Sequence, residues 1–292
     1  MTIIPQNERI ITGMDNRPIG FFDSGLGGLT CVPPLMKKLP DERIIYFGDT
    51  ARTPYGSKAT TTIKRFSAEI TDFLVKSGVK MIVIACNTVS ATCLDDLRKR
   101  FPQIPILGII EPAARAIAAR CTEENRIGII GTKVTIASRA YEECISRYND
   151  SLNIFETSCP AFVPLIEEGI INNDIMDLTI KYYMNDFVFG NELDTMVLGC
   201  THYPLISKNI ERIYPKLDII NPSSIMADTI ERILGERDML AKDPQASNVF
   251  YASDLSENFM NMIDNIFQGE SDEAKVKFLN FDMETEKDAY GF

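Results

Sequence analysis

Two cysteines stand in nearly the same local sequence at two distant places in the chain. Cys86 lies in the stretch MIVIACNT, and Cys200 lies in the stretch TMVLGCTH. Each apolar run predicts a buried strand that stops at a thiol, where a helix should begin. The free N–H groups and the dipole at a helix start stabilise a thiolate. Since ligands of open α/β sheets bind at the carboxyl ends of strands, we expect both thiols to face one pocket.

Two thiols on opposite sides of a substrate would suit inversion at a carbon atom. One thiolate removes a proton from the carbon, and the other thiol returns a proton from the opposite face. The plainer alternative is that each cysteine is a small buried hydrophobe and that the polar residues after it only cap helices. These polar residues are Asn87, Thr88, Thr201 and His202. His202, the only histidine, is too close to Cys200 in sequence for the usual Cys/His pair of a single-nucleophile enzyme.

Short strands and helices alternate around both thiols and predict an α/β fold with mainly parallel sheets. The predicted strands are 18–22, 43–47, 81–85, 104–110, 126–130, 153–156, 195–198, 217–220, 249–251 and 276–279. The predicted helices are about 29–38, 57–77, 88–100, 131–147, 174–189, 225–234 and 256–267. The glycine-rich stretch DSGLGG, which starts at Asp23, predicts either a tight turn or a loop whose N–H groups face a ligand.

An internal echo predicts that the fold is built from two similar halves. The stretch RPIGFFDS at 17–24 resembles NRIGIIGT at 125–132, 108 residues later, and the two cysteine stretches are 114 residues apart. Two echoes in the same order and at similar spacing are typical of a duplication. With a crossing point at Glu111-Pro112, we predict a first domain of 17–111 plus 222–292, a second domain of 112–221, and a tail of 1–16.

Composition narrows the function classes. The chain has 292 residues, of which 45% are hydrophobic, and this fits one large or two ordinary globular domains. Its formal charge of −11 argues against nucleic-acid binding, and no apolar run is long enough for a membrane span. Seven irregularly spaced cysteines without a signal-peptide pattern indicate reduced thiols in the cytoplasm. A single histidine and the lack of a CxxC pair argue against a metal site.

Four stretches resemble the signature motifs of bacterial glutamate racemases, within the aspartate/glutamate racemase superfamily. They are DSGLGG at 23–28, GDTARTPYG at 48–56, ACNT at 85–88 and GCTHYP at 199–204. The resemblance covers residues 17–267 and implies two pseudo-symmetric, three-layer α/β domains with the site between them. It also implies a cofactor-independent interconversion of L- and D-glutamate, which supplies D-glutamate for peptidoglycan, in a cytoplasmic homodimer.

The resemblance further implies roles for individual residues. By position in the motifs, Cys86 would act on the D-enantiomer and Cys200 on the L-enantiomer, with assistance from Asp23, Glu167 and His202. The substrate would be held by Asp23, Ser24, Tyr55, Gly56, Asn87, Thr88, Thr132, Thr135, Thr201 and His202. Hydroxyls, amides and helix starts of this kind can bind the two carboxylates of glutamate without a buried cation.

Three alternatives remain open on the sequence. The same fold could racemise aspartate or another amino acid. The cleft could bind an amino acid or a partner without catalysis. A hydrolase could use one cysteine as its nucleophile, although the second strand-end thiol would then have no explanation.

Overall fold

The computed structural model describes residues 15–242, 247–254 and 276–280, together with positions 260, 263, 266 and 267. Within these residues the strands are β1 (Ile19–Asp23), β2 (Ile44–Gly48), β3 (Met81–Ile84), β4 (Ile106–Gly108), β5 (Arg126–Gly131), β6 (Asn153–Ser158), β7 (Thr195–Gly199), β8 (Asp218–Ile220), β9 (Asn248–Ala252) and β10 (Val276–Asn280). Most of the expected tail at 1–16, and most of the helix expected at 256–267, lie outside the described residues.

Helices connect and flank these strands. They are α1 (Val32–Lys38), α2 (Thr60–Lys76), α3 (Asn87–Thr92), α4 (Leu94–Arg100), α5 (Ile110–Arg120), α6 (Lys133–Ala137), α7 (Ala140–Ser146), α8 (Phe162–Glu167), α9 (Asp174–Gly190), α10 (Ser207–Ile213) and α11 (Pro222–Glu236). No helix in the described part of the chain combines the length and the apolar character needed to cross a bilayer.

The strands form two parallel sheets with the same internal order. The first sheet runs β10-β9-β2-β1-β3-β4, and the second runs β6-β5-β7-β8. Ile19 pairs with Met81 in the first sheet, and Ile127 pairs with Thr195 in the second. The four-strand order β2-β1-β3-β4 is therefore repeated as β6-β5-β7-β8. This repeat confirms the predicted α/β fold and explains the internal echo.

The first sheet is covered by helices on both faces. Phe22 and Ile82 pack on one face with Phe73 of α2, whereas Phe21 and Val83 belong to the core on the other face. Every residue of β1, β2 and β3 is buried, as expected for parallel strands between two helical layers. Full burial of one large apolar side chain stabilises the fold by about 1.5–3 kcal/mol, so these strands form a firm base for the loops at their ends.

Two helices that were predicted as continuous are broken. The helix expected at 88–100 divides at Cys93, where the Thr92 hydroxyl donates to the carbonyl oxygen of Thr88 at 2.7 Å. The helix expected at 131–147 divides at Arg139, whose φ of 55° is left-handed. Ser138 donates its hydroxyl to the carbonyl of Thr135 just before that break. Such side-chain bonds to the backbone compete with the helix.

The connection between the halves differs most from the expectation. The strand predicted at 104–110 covers only Ile106–Gly108, and the expected crossing point at Glu111-Pro112 lies inside the first turn of α5. Proline is tolerated there because the first turn has no hydrogen-bond acceptor for its missing N–H. After Asn221, which caps α11, the chain returns to the first sheet through β9 and β10. The exact division into domains stays a prediction.

Candidate active site

Both cysteines lie at the carboxyl ends of equivalent strands and are nearly inaccessible. Cys86 follows β3 and is 4% exposed, and Cys200 follows β7 and is 6% exposed. Cys86 directly precedes α3, as predicted. Cys200 is followed instead by a turn and a short 3-10 helix at Tyr203–Ile206, so α10 starts only at Ser207. A helix therefore begins directly after Cys86 but not after Cys200.

The loop after β1 contacts the surroundings of both thiols. The Cys86 thiol donates to the Ser24 hydroxyl at 3.5 Å, and the Thr201 hydroxyl donates to Asp23 Oδ1 at 3.3 Å. A Cβ atom on Gly27 would lie 2.5 Å from Thr201 Oγ1, so only glycine permits this close approach. The short loop after β1 thus contacts residues at the ends of both β3 and β7.

Burial controls the protonation of the Cys86 side of the site. It raises the pKa of the Cys86 thiol strongly, and the nearby charge of Asp23 raises it further, whereas the hydrogen bond with Ser24 opposes the shift. Burial also raises the pKa of the Asp23 carboxyl, against the charge of His202 and the N–H groups of Gly25 and Gly28. Burial therefore favours the neutral thiol form of Cys86.

A histidine and a glutamate support the other thiol. His202 Nδ1 lies 3.9 Å from Cys200 Sγ, and His202 Nε2 lies 3.1 Å from Glu167 Oε1 at the end of α8. Burial alone would lower the pKa of His202, but hydrogen bonds and charges from Cys200 and Glu167 outweigh it and raise this pKa to about 10. The imidazole is therefore protonated at neutral pH and carries its positive charge beside Cys200.

Three threonine hydroxyls form a cluster between the two halves. Thr88 Oγ1 lies 3.0 Å from Thr132 Oγ1 and 3.3 Å from Thr135 Oγ1, and the last two are 3.0 Å apart. Thr132 also caps α6, and Gly56 packs so tightly on it that a Cβ atom would lie 2.5 Å from the threonine Cβ. Hydroxyls can reorient, so this cluster is able to donate to a carboxylate.

Asn87 presents a buried donor beside Cys86. Its Oδ1 accepts a hydrogen bond from the Tyr141 hydroxyl at 2.6 Å, and this bond fixes the orientation of the amide. Its Nδ2 has no hydrogen-bond partner among the described residues. A buried N–H group without an acceptor costs about 1–3 kcal/mol, and an anionic ligand would remove this penalty.

Tyr55 is placed differently from the other expected site residues. It is completely buried, its ring lies 5.7 Å from that of Phe66, and its hydroxyl donates to Asp49. Of the other expected residues, Ser24 and His202 contact a thiol directly, whereas the Tyr55 hydroxyl is engaged in a separate network with Asp49.

Two contacts at the site were absent from the sequence-based expectation. Tyr141 orients Asn87, and Thr53 donates its hydroxyl to Glu167 Oε1 at 3.2 Å. Thr53 lies inside the stretch GDTARTPYG and could have been considered from its position there, whereas nothing around Tyr141 signals its partner.

Comparison with known proteins places this geometry in a family. A family model described as Asp/Glu/Hydantoin racemase matches residues 31–230. A glutamate racemase from Chlorobaculum tepidum is 44% identical over 247 residues, which are 84% of this chain and 90% of that relative. A glutamate racemase from Aquifex aeolicus is 38% identical over 258 residues, which are 88% of this chain and 96% of the relative.

Solved structures agree with the sequence relatives. The crystal structure of glutamate racemase from Francisella tularensis in complex with D-glutamate superimposes with a TM-score of 0.84 at 35% identity, and the match covers 93% of this chain and 99% of that chain. A glutamate racemase isoform from Bacillus anthracis gives a TM-score of 0.83 at 29% identity, over 92% and 99% of the two chains. This chain therefore belongs to the Asp/Glu/Hydantoin racemase family, among its glutamate racemases.

Proposed function

We propose that this protein interconverts L- and D-glutamate by moving the α-proton between two thiols, Cys86 and Cys200. The observation that carries the proposal is that the two cysteines follow equivalent strands of two sheets with the same strand order. The loop after β1 contacts both places, since Ser24 accepts a hydrogen bond from Cys86 and Asp23 accepts one from Thr201, the residue after Cys200. The glutamate racemases among the relatives support glutamate as the substrate.

On the L side, Cys200 is the base. His202 is held as an imidazolium between Cys200 and Glu167, and this charge stabilises the thiolate that accepts the α-proton of L-glutamate. Because Cys200 and His202 are almost completely buried, water does not screen the pair, and its electrostatic interaction is stronger than in solution.

On the D side, Cys86 is the acid during formation of D-glutamate and the base in the reverse direction. Its raised pKa keeps it as a thiol, so it holds the proton that completes inversion. In the reverse direction the thiol must first lose that proton. Asp23 is the adjacent group that can receive it, because its own pKa is raised by burial.

Neutral donors hold the substrate in the proposal. The free Asn87 Nδ2 group and the hydroxyls of Thr88, Thr132 and Thr135 donate to the substrate's carboxylates. In the proposal, Ser24, which contacts the Cys86 thiol, and Thr201, which follows Cys200 directly, lie on the two sides of the reacting carbon. Gly56 contributes by allowing its loop to lie directly against Thr132. Tyr55 contributes indirectly, since its hydroxyl is engaged by Asp49.

An assay in deuterated buffer without added cofactor tests the proposal. We expect D-glutamate to form from L-glutamate, with deuterium at the α-carbon of the product, and we expect a much lower rate with aspartate. Cys86→Ser and Cys200→Ser should each reduce racemisation by at least about 10²-fold, because both proton transfers are needed for turnover. Cys121→Ser, which alters a buried cysteine outside the site, is the control. Absence of D-glutamate, or wild-type rates in either single variant, would refute the mechanism.

The cellular context is part of the same proposal. We infer that the chain works in the cytoplasm as a homodimer and supplies D-glutamate for peptidoglycan. All seven cysteines lie within the described residues and are free thiols, which supports a reducing compartment. Light scattering of the purified protein tests the homodimer, and a monomer at micromolar concentration would contradict it.

A further inference from the structure

Thr53 begins a chain of contacts that ends at a catalytic thiol. Its hydroxyl donates to Glu167 Oε1 at 3.2 Å, and the same oxygen lies 3.1 Å from His202 Nε2. His202 Nδ1 in turn lies 3.9 Å from Cys200 Sγ. One carboxylate oxygen therefore has two neighbours, a threonine from the first half of the fold and the histidine from the second half.

The residues on both sides of Thr53 are anchored to one buried carboxylate. Arg52 Nε lies 2.8 and 2.9 Å from the two oxygens of Asp49, and Arg52 Nη1 lies 2.6 Å from Glu69 Oε2. Tyr55 donates its hydroxyl to the same Asp49 carboxylate. Because both flanking side chains are fixed, Thr53 has little freedom to move away from Glu167.

The loop is also tied to the end of β9. The Ser253 hydroxyl donates to Asp49 Oδ1 at 3.0 Å, and the backbone N–H of Ala51 donates to Ser253 Oγ at 2.9 Å. The loop that carries Thr53 therefore moves with the first sheet, so the bond to Glu167 is a contact between the two halves of the fold.

We propose that Thr53 is a positioning residue, which holds the Glu167 carboxylate against His202 and thereby prepares Cys200 for proton transfer on the L face. The inference rests on the proposed function. The Glu167 side chain is 25% exposed and has several rotatable bonds, so without a second anchor it can turn toward solvent. The titratable groups that face His202 are Cys200, Glu167 and Asp23, and of these Thr53 contacts Glu167.

Steady-state kinetics of three variants separate positioning from general loosening of the loop. Thr53→Val keeps the shape but removes the donor, and Thr53→Ser restores the donor. Thr50→Val removes a hydroxyl of the same loop that bonds only to the backbone of Asp254. We expect Thr53→Val to lower kcat by about threefold to tenfold with little change in KM, which is the usual effect of one hydrogen bond. Thr53→Ser should recover most of the rate, and Thr50→Val should match wild type.

Isotope effects identify the side of the reaction that is affected. The enantiomers have equal free energy, so kcat/KM must fall equally in both directions. It therefore cannot show whether the Cys200 step or the Cys86 step is slowed. If Thr53 acts through Cys200, removal of its hydroxyl makes the Cys200 step more rate-limiting. The primary isotope effect of Thr53→Val should then rise with α-deuterated L-glutamate and fall with α-deuterated D-glutamate. An equal change with both enantiomers, or a Thr50→Val variant with the same kinetics, would overturn the inference.

A substrate-free measurement keeps this inference separate from the proposed function. His202 is the only histidine in the chain, so tag-free protein gives a single imidazole signal in NMR. Thr53→Val should lower the pKa of His202 relative to wild type because Glu167 is held less firmly, whereas Thr50→Val should leave it unchanged. If the wild type does not racemise glutamate, the proposed function fails while the titration still tests the contact chain. If the wild type racemises glutamate and Thr53→Val changes neither isotope effects nor titration, only the positioning role of Thr53 is refuted.

Discussion

Gly27→Ala is expected to damage the site by separating the loop after β1 from the turn that follows Cys200. The added Cβ atom would lie 2.5 Å from Thr201 Oγ1, 2.6 Å from His202 Nδ1 and 2.8 Å from His202 N. Separations below 3.0 Å force atoms to move. The Thr201 and His202 side chains are held by their own hydrogen bonds, and the third atom belongs to the backbone, so relaxation is expensive.

The magnitude follows from overpacking in a buried region. Inserting a methyl group into close-packed surroundings costs about 1–3 kcal/mol. For a chain of this size that corresponds to a loss of about 2–10 °C in the melting temperature. Because the atoms that must move include His202 Nδ1, which faces Cys200, we expect kcat to fall by more than the loss of stability explains.

Gly235→Ala is the matched control. Gly235 lies in α11, and nothing lies within 4 Å of its added Cβ atom. Alanine is the better helix former by up to about 1 kcal/mol, so this variant should be as stable as wild type or slightly more stable. Calorimetry and racemisation rates measured on both variants decide the matter. If Gly27→Ala has the melting temperature and the kcat of the wild type, the close approach of the loop after β1 to the turn after Cys200 is not a requirement of the site.

Two further predictions concern buried charges. The pKa of His202 is raised to about 10, so its contribution to stability is complete below about pH 6.5 and is lost as the pH rises through about 10. The unfolding free energy of wild type should therefore lose more than about 1 kcal/mol over this range relative to His202→Gln, and parallel pH curves for the two proteins would disprove the pairing. Lys80 and Glu42 form an ion pair of 2.6 Å with side chains 0% and 2% exposed, so Lys80→Met should cost about 3–5 kcal/mol in urea unfolding. Adding Glu42→Gln should restore part of that loss, since it removes the unpaired charge and keeps an acceptor for the Ala241 N–H group, and no recovery would contradict this explanation.

Local sequence was sufficient to predict the position of the two thiols. Apolar runs that end in a small residue and a cysteine are local signals, and they correctly located Cys86 and Cys200 at strand ends. The echo between the halves could be found because equivalent strands keep similar buried residues. Glu111-Pro112, by contrast, was expected to be a crossing point because the strand and helix pattern starts again after it. In the structure it lies inside the first turn of α5, where a proline is tolerated.

The side-chain network of the site could not be predicted in the same way. The bond from Tyr141 to Asn87 joins residues 54 positions apart, and the bond from Thr53 to Glu167 joins residues 114 positions apart. Such contacts depend on how two sheets face each other and on individual rotamers, which no periodicity encodes. The same limit explains Tyr55, which lies in the expected loop while its hydroxyl is directed to Asp49.

The two halves repeat their strands but not the groups that support their thiols. Cys86 is accompanied by Ser24, Asp23 and the start of α3, all of which act on a buried neutral thiol. Cys200 is accompanied by an imidazolium held against a carboxylate. On the proposed mechanism the two surroundings suit different roles, because in each turnover one cysteine must accept the α-proton while the other donates a proton. Cys86, whose pKa is raised by burial, must lose its proton before it can act as the base for D-glutamate.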